Sequence, residues 1–112
     1  MTGVTAAGVR QQIQEIVERI VASAAPDRII LFGSHARGGA VPGSDVDLLV
    51  VMPVSGSRRR QATAIERSLI GVDLPVDLLV VTPEEVARDR DLPGTVIKPA
   101  LDEGEILYER RR

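Results

Sequence analysis

The chain has 112 residues, enough for one domain with a modest buried core. It contains no cysteine, which excludes disulfides and cysteine-bound metals, and its net charge of −2 gives no overall attraction for nucleic acid. No apolar run is long enough to cross a bilayer or to form a leader segment. We therefore expect a cytoplasmic protein that contacts neither a membrane nor nucleic acid directly.

The first half of the chain predicts a helix and two strands around a glycine-rich loop. Apolar residues three or four apart predict an amphipathic helix over 6–24, which ends before Pro26. The apolar run Arg28–Phe32 predicts the first strand, and Ser34 is expected to cap one turn of helix after it. The second predicted strand, Val46–Met52, is apolar on both faces and should be central in a sheet.

The second half of the chain alternates helices and strands again. The predicted elements are a helix over 59–70, a strand over 76–81, a short helix that a Thr82–Glu85 capping box begins, a helix over 95–103 and an edge strand over 105–108. This alternation predicts an α/β (α+β) fold in which a small mixed β-sheet carries helices mainly on one face. We expect the whole of residues 1–112 to form a single domain.

Three aspartates stand out on otherwise apolar strands. Asp45 and Asp47 are two residues apart and therefore project from the same face of their strand. Two carboxylates about 4 Å apart repel by roughly 4 kcal/mol at an effective dielectric near 20, which is costly unless a cation lies between them. Asp77 occupies the neighbouring predicted strand. Three acids at one place on a sheet predict a site for a hard divalent cation, although an isolated Asp-x-Asp is more often solvated.

Residues after the first strand have the chemistry of a phosphate site. Gly33 would let a phosphate approach the backbone closely, and Ser34 offers a hydroxyl at the start of a helix, where amides attract anions. Arg37, one turn later, can add a charged contact, although a surface arginine can equally pair with a nearby acid. His35 is interpreted as positional, because nothing in the sequence supplies it with a partner.

Together these residues resemble the DNA polymerase β-type nucleotidyltransferases. The shared pattern is Phe-Gly-Ser-His-Ala-Arg-Gly at 32–38, then Gly-Ser-Asp-Val-Asp-Leu-Leu-Val at 43–50, with Asp77 on a later strand. Within that superfamily the chain is similar to the minimal nucleotidyltransferase (MNT) family, and the resemblance extends over nearly the whole chain. The pattern is specific for the fold and the chemistry but not for the acceptor.

The resemblance implies transfer of AMP from ATP to an acceptor hydroxyl with two Mg²⁺ ions. It assigns Asp45 and Asp47 to both ions, and it assigns Asp77 to the catalytic ion and to deprotonation of the acceptor. Gly33, Ser34, Arg37 and Ser44 are the residues that it assigns to the nucleoside triphosphate.

The resemblance also suggests a partner. Minimal nucleotidyltransferases typically are antitoxins that adenylylate a tyrosine of a HEPN-domain ribonuclease toxin, and this is our first hypothesis. The alternatives are an antitoxin that neutralises its toxin by contact alone and, less well supported, an enzyme that modifies a small molecule such as an antibiotic. The sequence leaves the base preference and the oligomeric state open, homo-oligomers included.

Overall fold

The structure, a computed structural model, describes the backbone of residues 6–111 and the side chains of residues 8–111. Within these residues it contains the predicted succession of helices and strands, with bounds that differ from the prediction by at most two residues at each end. The helices are α1 (Ala6–Ala24), α2 (Ser34–Arg37), α3 (Arg58–Ser68), α4 (Pro83–Asp89) and α5 (Ile97–Glu103). The strands are β1 (Arg28–Phe32), β2 (Val46–Val51), β3 (Val76–Val81) and β4 (Glu105–Glu109).

The strands form one mixed sheet in the order β3-β2-β1-β4. β1 runs antiparallel to both of its neighbours, whereas β2 and β3 are parallel. The prediction of a mixed sheet with a central second strand and an edge strand at the end is confirmed. β2 and β3 share the sequence Val-Asp-Leu-Leu-Val-Val and pair in register, which places Asp47 opposite Asp77.

Side chains alternate along β2, so the sheet has an apolar core on each face. Leu48 and Val50 contact the first core, which α1 and α3 cover, with Ile16, Ile20 and Ile65 at its centre. Leu49 and Val51 belong to the second core, to which α4 contributes Val86 and α5 contributes Ile97 and Ala100. The two longer helices therefore cover one face, as predicted, and the two short helices cover part of the other.

Two helix starts show how the local sequence shapes the chain. At α4, Thr82 accepts from the Glu85 amide while the Glu85 side chain accepts from the Thr82 amide, which confirms the predicted capping box. At α2, Ser34 is the first helical residue and its side chain does not cap, so that prediction was wrong. Gly33 precedes it with a φ of 76°, a conformation that glycine adopts at little cost. None of the described helices is both long and apolar enough to cross a membrane.

Candidate active site

The predicted acids meet at one end of the sheet. Asp47 pairs with Phe32 of β1 on one side and with Asp77 of β3 on the other, so these residues form one row across three strands. Asp45 lies just before β2 and two residues from Asp47. Asp47 is half-buried, whereas Asp45 and Asp77 are exposed. The row belongs to the face of the sheet that α4 and α5 cover only in part, and it is open to solvent.

Electrostatics shows that these carboxylates interact. Partial burial raises the pKa of Asp47, and the negative charges of Asp77 and Asp45 raise that pKa further. Arg37 and His35 act on the Asp47 pKa in the opposite direction and lower it. The acids of β2 and β3 and the basic residues of α2 therefore lie within electrostatic reach of one another, although far apart in sequence.

Gly33 passes directly over Asp47. A Cβ atom added at Gly33 would collide with the Oδ2 atom of Asp47 and would lie 3.1 Å from its Cγ atom. The positive φ of Gly33 independently disfavours any side chain. Both conditions require glycine at this position, and they bring the backbone of the Gly-Ser turn against the central carboxylate.

The first turn of α2 leaves backbone amides without a partner inside the helix. Ala36 and Arg37 donate their amides to the Gly33 carbonyl, and the amides before them have no partner inside a helix. Ser34 is half-buried and Arg37 is exposed. Neither side chain has a hydrogen bond or ion pair with another of the described residues 8–111, so both are available to an anion.

Ser44 closes the loop between the two halves of the motif. Its hydroxyl accepts from the Val41 amide at 3.0 Å, while its own amide donates to the Val41 carbonyl at 2.9 Å. The hydroxyl proton remains available to a ligand. The ring of His35 contacts the Ser44 carbonyl, with 3.1 Å between Nε2 and the oxygen. Sequence reasoning missed this partner, because it depends on how the loop folds back and not on spacing.

The three acids suit a hard divalent cation in their chemistry. They offer only carboxylate oxygens, they lie on one face, and their mutual repulsion is what a cation would relieve. Among the residues with described side chains, however, no group of three or more His, Asp or Glu residues is gathered closely enough to hold an ion on its own. Further oxygens, such as those of a triphosphate, are therefore needed to complete the coordination of an ion at this place.

A known family accounts for this arrangement. The family model described as the nucleotidyltransferase domain matches residues 10–106, which include every site residue discussed above. The chain belongs to the nucleotidyltransferase domain family. No curated protein matches the chain.

Solved structures share the nucleotidyltransferase fold with this chain. A candidate nucleotidyltransferase from Sulfolobus solfataricus is 24% identical, with a TM-score of 0.61 over 98% of this chain and 93% of that one. A toxin–antitoxin structure with AMP-PNP is 17% identical, with a TM-score of 0.60 over 88% of this chain and 74% of that one. The structure of a tri-AMPylated Shewanella oneidensis HEPN toxin in complex with MNT antitoxin is 16% identical, with a TM-score of 0.60 over 90% of this chain and 72% of that one. At these identities the likeness establishes the fold, which confirms the predicted α/β nucleotidyltransferase architecture.

Proposed function

We propose that this nucleotidyltransferase domain transfers AMP from ATP to a tyrosine hydroxyl of a HEPN ribonuclease toxin and thereby acts as an antitoxin. The observation that carries the proposal is the in-register pair Asp47 and Asp77, with Gly33 in contact range of Asp47. This pair puts carboxylates beside a phosphate-binding turn, as the transfer of a phosphoryl-linked group requires.

The nucleotide would lie across the Gly-Ser turn. Because Gly33 has no side chain, its backbone can approach a phosphate closely, and the Ser34 hydroxyl and the first amides of α2 can donate to the phosphate oxygens. The exposed Arg37 guanidinium can neutralise the same phosphates. Ser44 can donate its remaining hydroxyl proton from the opposite side of the loop.

The three aspartates would bind the metal ions and accept the proton of the acceptor. Asp45 and Asp47 would hold two Mg²⁺ ions together with the triphosphate, and Asp77 would contribute to the ion nearest the acceptor. When bound, such ions neutralise the charge that develops on the phosphates and activate the attacking oxygen. The exposed Asp77 carboxylate would receive the proton of the acceptor. The acceptor oxygen forms a bond to the α-phosphorus, the bond from that phosphorus to the bridging oxygen breaks, and pyrophosphate leaves.

The acceptor assignment draws on the structural relatives. One of them contains AMP-PNP, and another contains a HEPN toxin that carries AMP groups beside its MNT antitoxin. The row of acids in this chain is open to solvent, with Asp45 and Asp77 exposed. Such an open site suits a hydroxyl that another macromolecule presents, and a tyrosine on an exposed segment can reach it.

Binding of the nucleotide is the first test. Calorimetric titration of ATP should show binding with Mg²⁺ or Mn²⁺ and little or none without a divalent ion, because repulsion between the acids and the phosphates is otherwise unrelieved. Equal affinity in both conditions would remove the metal-bridged site.

Transfer is the second test. We expect that mixing the protein, MgATP and its cognate toxin adds the mass of AMP to the toxin, and that Asp45→Asn/Asp47→Asn abolishes this shift. Asp77→Asn should keep much of the MgATP affinity but lower transfer by about 100-fold or more, since it removes the proton acceptor. Asp73→Asn, an exposed acid in the loop before β3, is the matched control and should behave like wild type.

The same variants distinguish the contact-only antitoxin. If Asp45→Asn/Asp47→Asn still neutralises the toxin fully in cells, neutralisation occurs by binding and the transferase proposal is wrong. Transfer by Asp77→Asn within a few-fold of wild type would overturn only the role given to Asp77.

A further inference from the structure

His35 joins the two halves of the nucleotidyltransferase motif. It lies on α2, one residue after Ser34, and its ring reaches the carbonyl of Ser44, which immediately precedes Asp45. The Nε2 atom and the carbonyl oxygen are 3.1 Å apart. Residues 38–43 connect these positions along the chain, and glycine occupies three of those six places.

The chemistry of this contact determines which ring nitrogen carries a proton. A carbonyl oxygen can only accept, so Nε2 must be the donor in the contact. The ring therefore donates a hydrogen bond from Nε2, the ring nitrogen farther from the backbone, to the Ser44 carbonyl. Nδ1 is not needed for the contact.

Pairing of β1 with β2 already places Asp47 opposite Phe32, whereas Ser44 and Asp45 lie before this pairing begins. The Ser44 hydroxyl and amide are both engaged with Val41, which closes a turn inside the loop but does not tie the loop to α2. The Gly39 amide donates to the Ser34 carbonyl and orders only the beginning of the loop. Among the described residues, the His35–Ser44 hydrogen bond is thus the polar contact that ties the end of this loop, just before Asp45, to α2.

We infer that His35 is a positioning residue that holds Ser44 and Asp45 at the correct separation from Ser34 before the nucleotide binds. A metal–triphosphate complex must contact both halves of the motif at once, and an ordered loop lowers the cost of doing so. This inference rests on the proposed function and adds to it a residue that need not touch the nucleotide.

The ring has space around it for substitution. His35 lies on the wall of a cavity of about 330 Å³, which Val9, Ile13, Leu74 and the 38–44 loop also line. Replacement by a side chain of similar or smaller size therefore leaves the fold without a collision. Three variants separate the hydrogen bond from the volume: His35→Gln, His35→Asn and His35→Leu.

His35→Gln keeps a donor close to the position of Nε2, whereas His35→Asn is one methylene shorter and His35→Leu has no donor. Calorimetry with MgATP should give near-wild-type affinity for His35→Gln and an affinity about tenfold weaker for the other two, because the loop must then be ordered on binding. In transfer assays KM for MgATP should rise by a similar factor, with kcat within about threefold of wild type.

Hydrogen exchange of the nucleotide-free protein provides a readout that does not need a substrate. The amide of Ser44 should exchange faster in His35→Asn and His35→Leu than in wild type or His35→Gln, while amides of β1 should be unchanged. Equal affinity and exchange in all four proteins would overturn the inference, as would a loss in His35→Gln as large as that in His35→Leu. A wild-type protein that fails to bind MgATP, or binds it without transfer, would instead contradict the proposed function, and the exchange pattern would still decide the role of His35.

Discussion

The ionised carboxylate of Asp47 lowers the free energy of unfolding of the ligand-free protein. Its folded-state pKa is raised by partial burial and by Asp77 and Asp45, so its charged form is disfavoured in the native state. A raised carboxylate pKa costs stability above that pKa, and the cost disappears at pH values below the unfolded-state pKa near 3.9. The ionised carboxylates therefore repel one another in the ligand-free protein, and a cation bound between them would relieve this repulsion.

Removal of this charge should stabilise the ligand-free chain. We expect Asp47→Asn to raise the melting temperature at pH 7, because it removes a charge that partial burial and the neighbouring acids disfavour. Because the wild-type carboxylate becomes neutral in acid, the difference between the two proteins should shrink as the pH falls toward 4. Thermal melts between pH 4 and pH 8 measure both quantities, and a variant that melts below wild type at pH 7 would contradict the assignment.

Gly33 and Gly38 form a matched pair for a second prediction. Both have a φ of 76°, but a Cβ at Gly33 would collide with Asp47 whereas a Cβ at Gly38 would have nothing within 4 Å. Gly38→Ala should cost about 1 kcal/mol of unfolding free energy from backbone strain alone and should retain MgATP binding. Gly33→Ala should cost more and should abolish binding, since the Asp47 carboxylate must turn away.

Urea denaturation and MgATP calorimetry on both variants give the comparison. Equal losses of stability and affinity in Gly33→Ala and Gly38→Ala would mean that the close approach to Asp47 has no role in the site.

Among the elements, α3 and α4 are joined at their first turns by one ion pair. Arg58 forms a bidentate pair with Glu85, with N–O distances of 2.7 and 2.9 Å, and also donates to the Val80 carbonyl at 3.1 Å. The Arg58 guanidinium and the Thr82 amide lower the pKa of Glu85 to about 2. This ion pair thus connects α3 and α4, which lie on opposite faces of the sheet, beyond the end of β3.

The depressed pKa of Glu85 predicts that this residue stabilises the fold less in acid than at neutral pH. The contribution of Glu85 is fully present above its unfolded-state pKa near 4.3 and is lost as the pH falls from there toward 2. Because Arg58 is 46% exposed, solvent screening limits the effect to about 1 kcal/mol. Glu85→Gln keeps an acceptor for the Thr82 amide but removes the charge, so it should lose about this amount at pH 7 and markedly less at pH 2, where Glu85 is about half protonated in the folded protein.

Chemical denaturation at several pH values measures the effect. Asp102→Asn is the control: it removes an exposed pair with Lys98 and should leave stability nearly unchanged at every pH. A Glu85→Gln protein whose deficit persists undiminished at pH 2 would show that the capping interaction, and not the charge, was lost.

At the scale of the whole molecule, two apolar cores share one sheet. Ile65 of α3 lies in the first core and is 1% exposed, and Ile97 of α5 lies in the second and is 4% exposed. Leu48 and Leu49 of β2 are adjacent in sequence and enter opposite cores. We propose from this arrangement that residues 1–112 unfold as a single domain.

Calorimetry of two core variants tests cooperativity. Ile65→Ala and Ile97→Ala should each cost about 2–5 kcal/mol and lower the same single transition, because neither core is complete without the sheet. A separate early transition in Ile97→Ala alone would show that the α4–α5 side unfolds independently and would contradict the single-domain proposal.

Much of this fold could be predicted because its signals are local. Apolar spacing identified α1, and the capping box identified the start of α4. The identical hexapeptides of β2 and β3 are a signal that sequence reasoning did not use, and in the structure they pair residue for residue, which sets Asp47 opposite Asp77. The contacts of His35 with Ser44 and of Arg58 with Glu85 could not be predicted, since each depends on loop and helix placement that sequence spacing does not encode.

The repeated hexapeptide has a consequence for self-association. β3 lies at the edge of the sheet, and a strand that already pairs with an identical sequence offers a template for the same strand of another molecule. Parallel, in-register addition of a second β3 would set Asp77 directly against Asp77, and like charges in that position oppose pairing. We therefore expect Asp77→Asn, which removes this repulsion at the sheet edge, to lower the solubility of the protein as well as its activity.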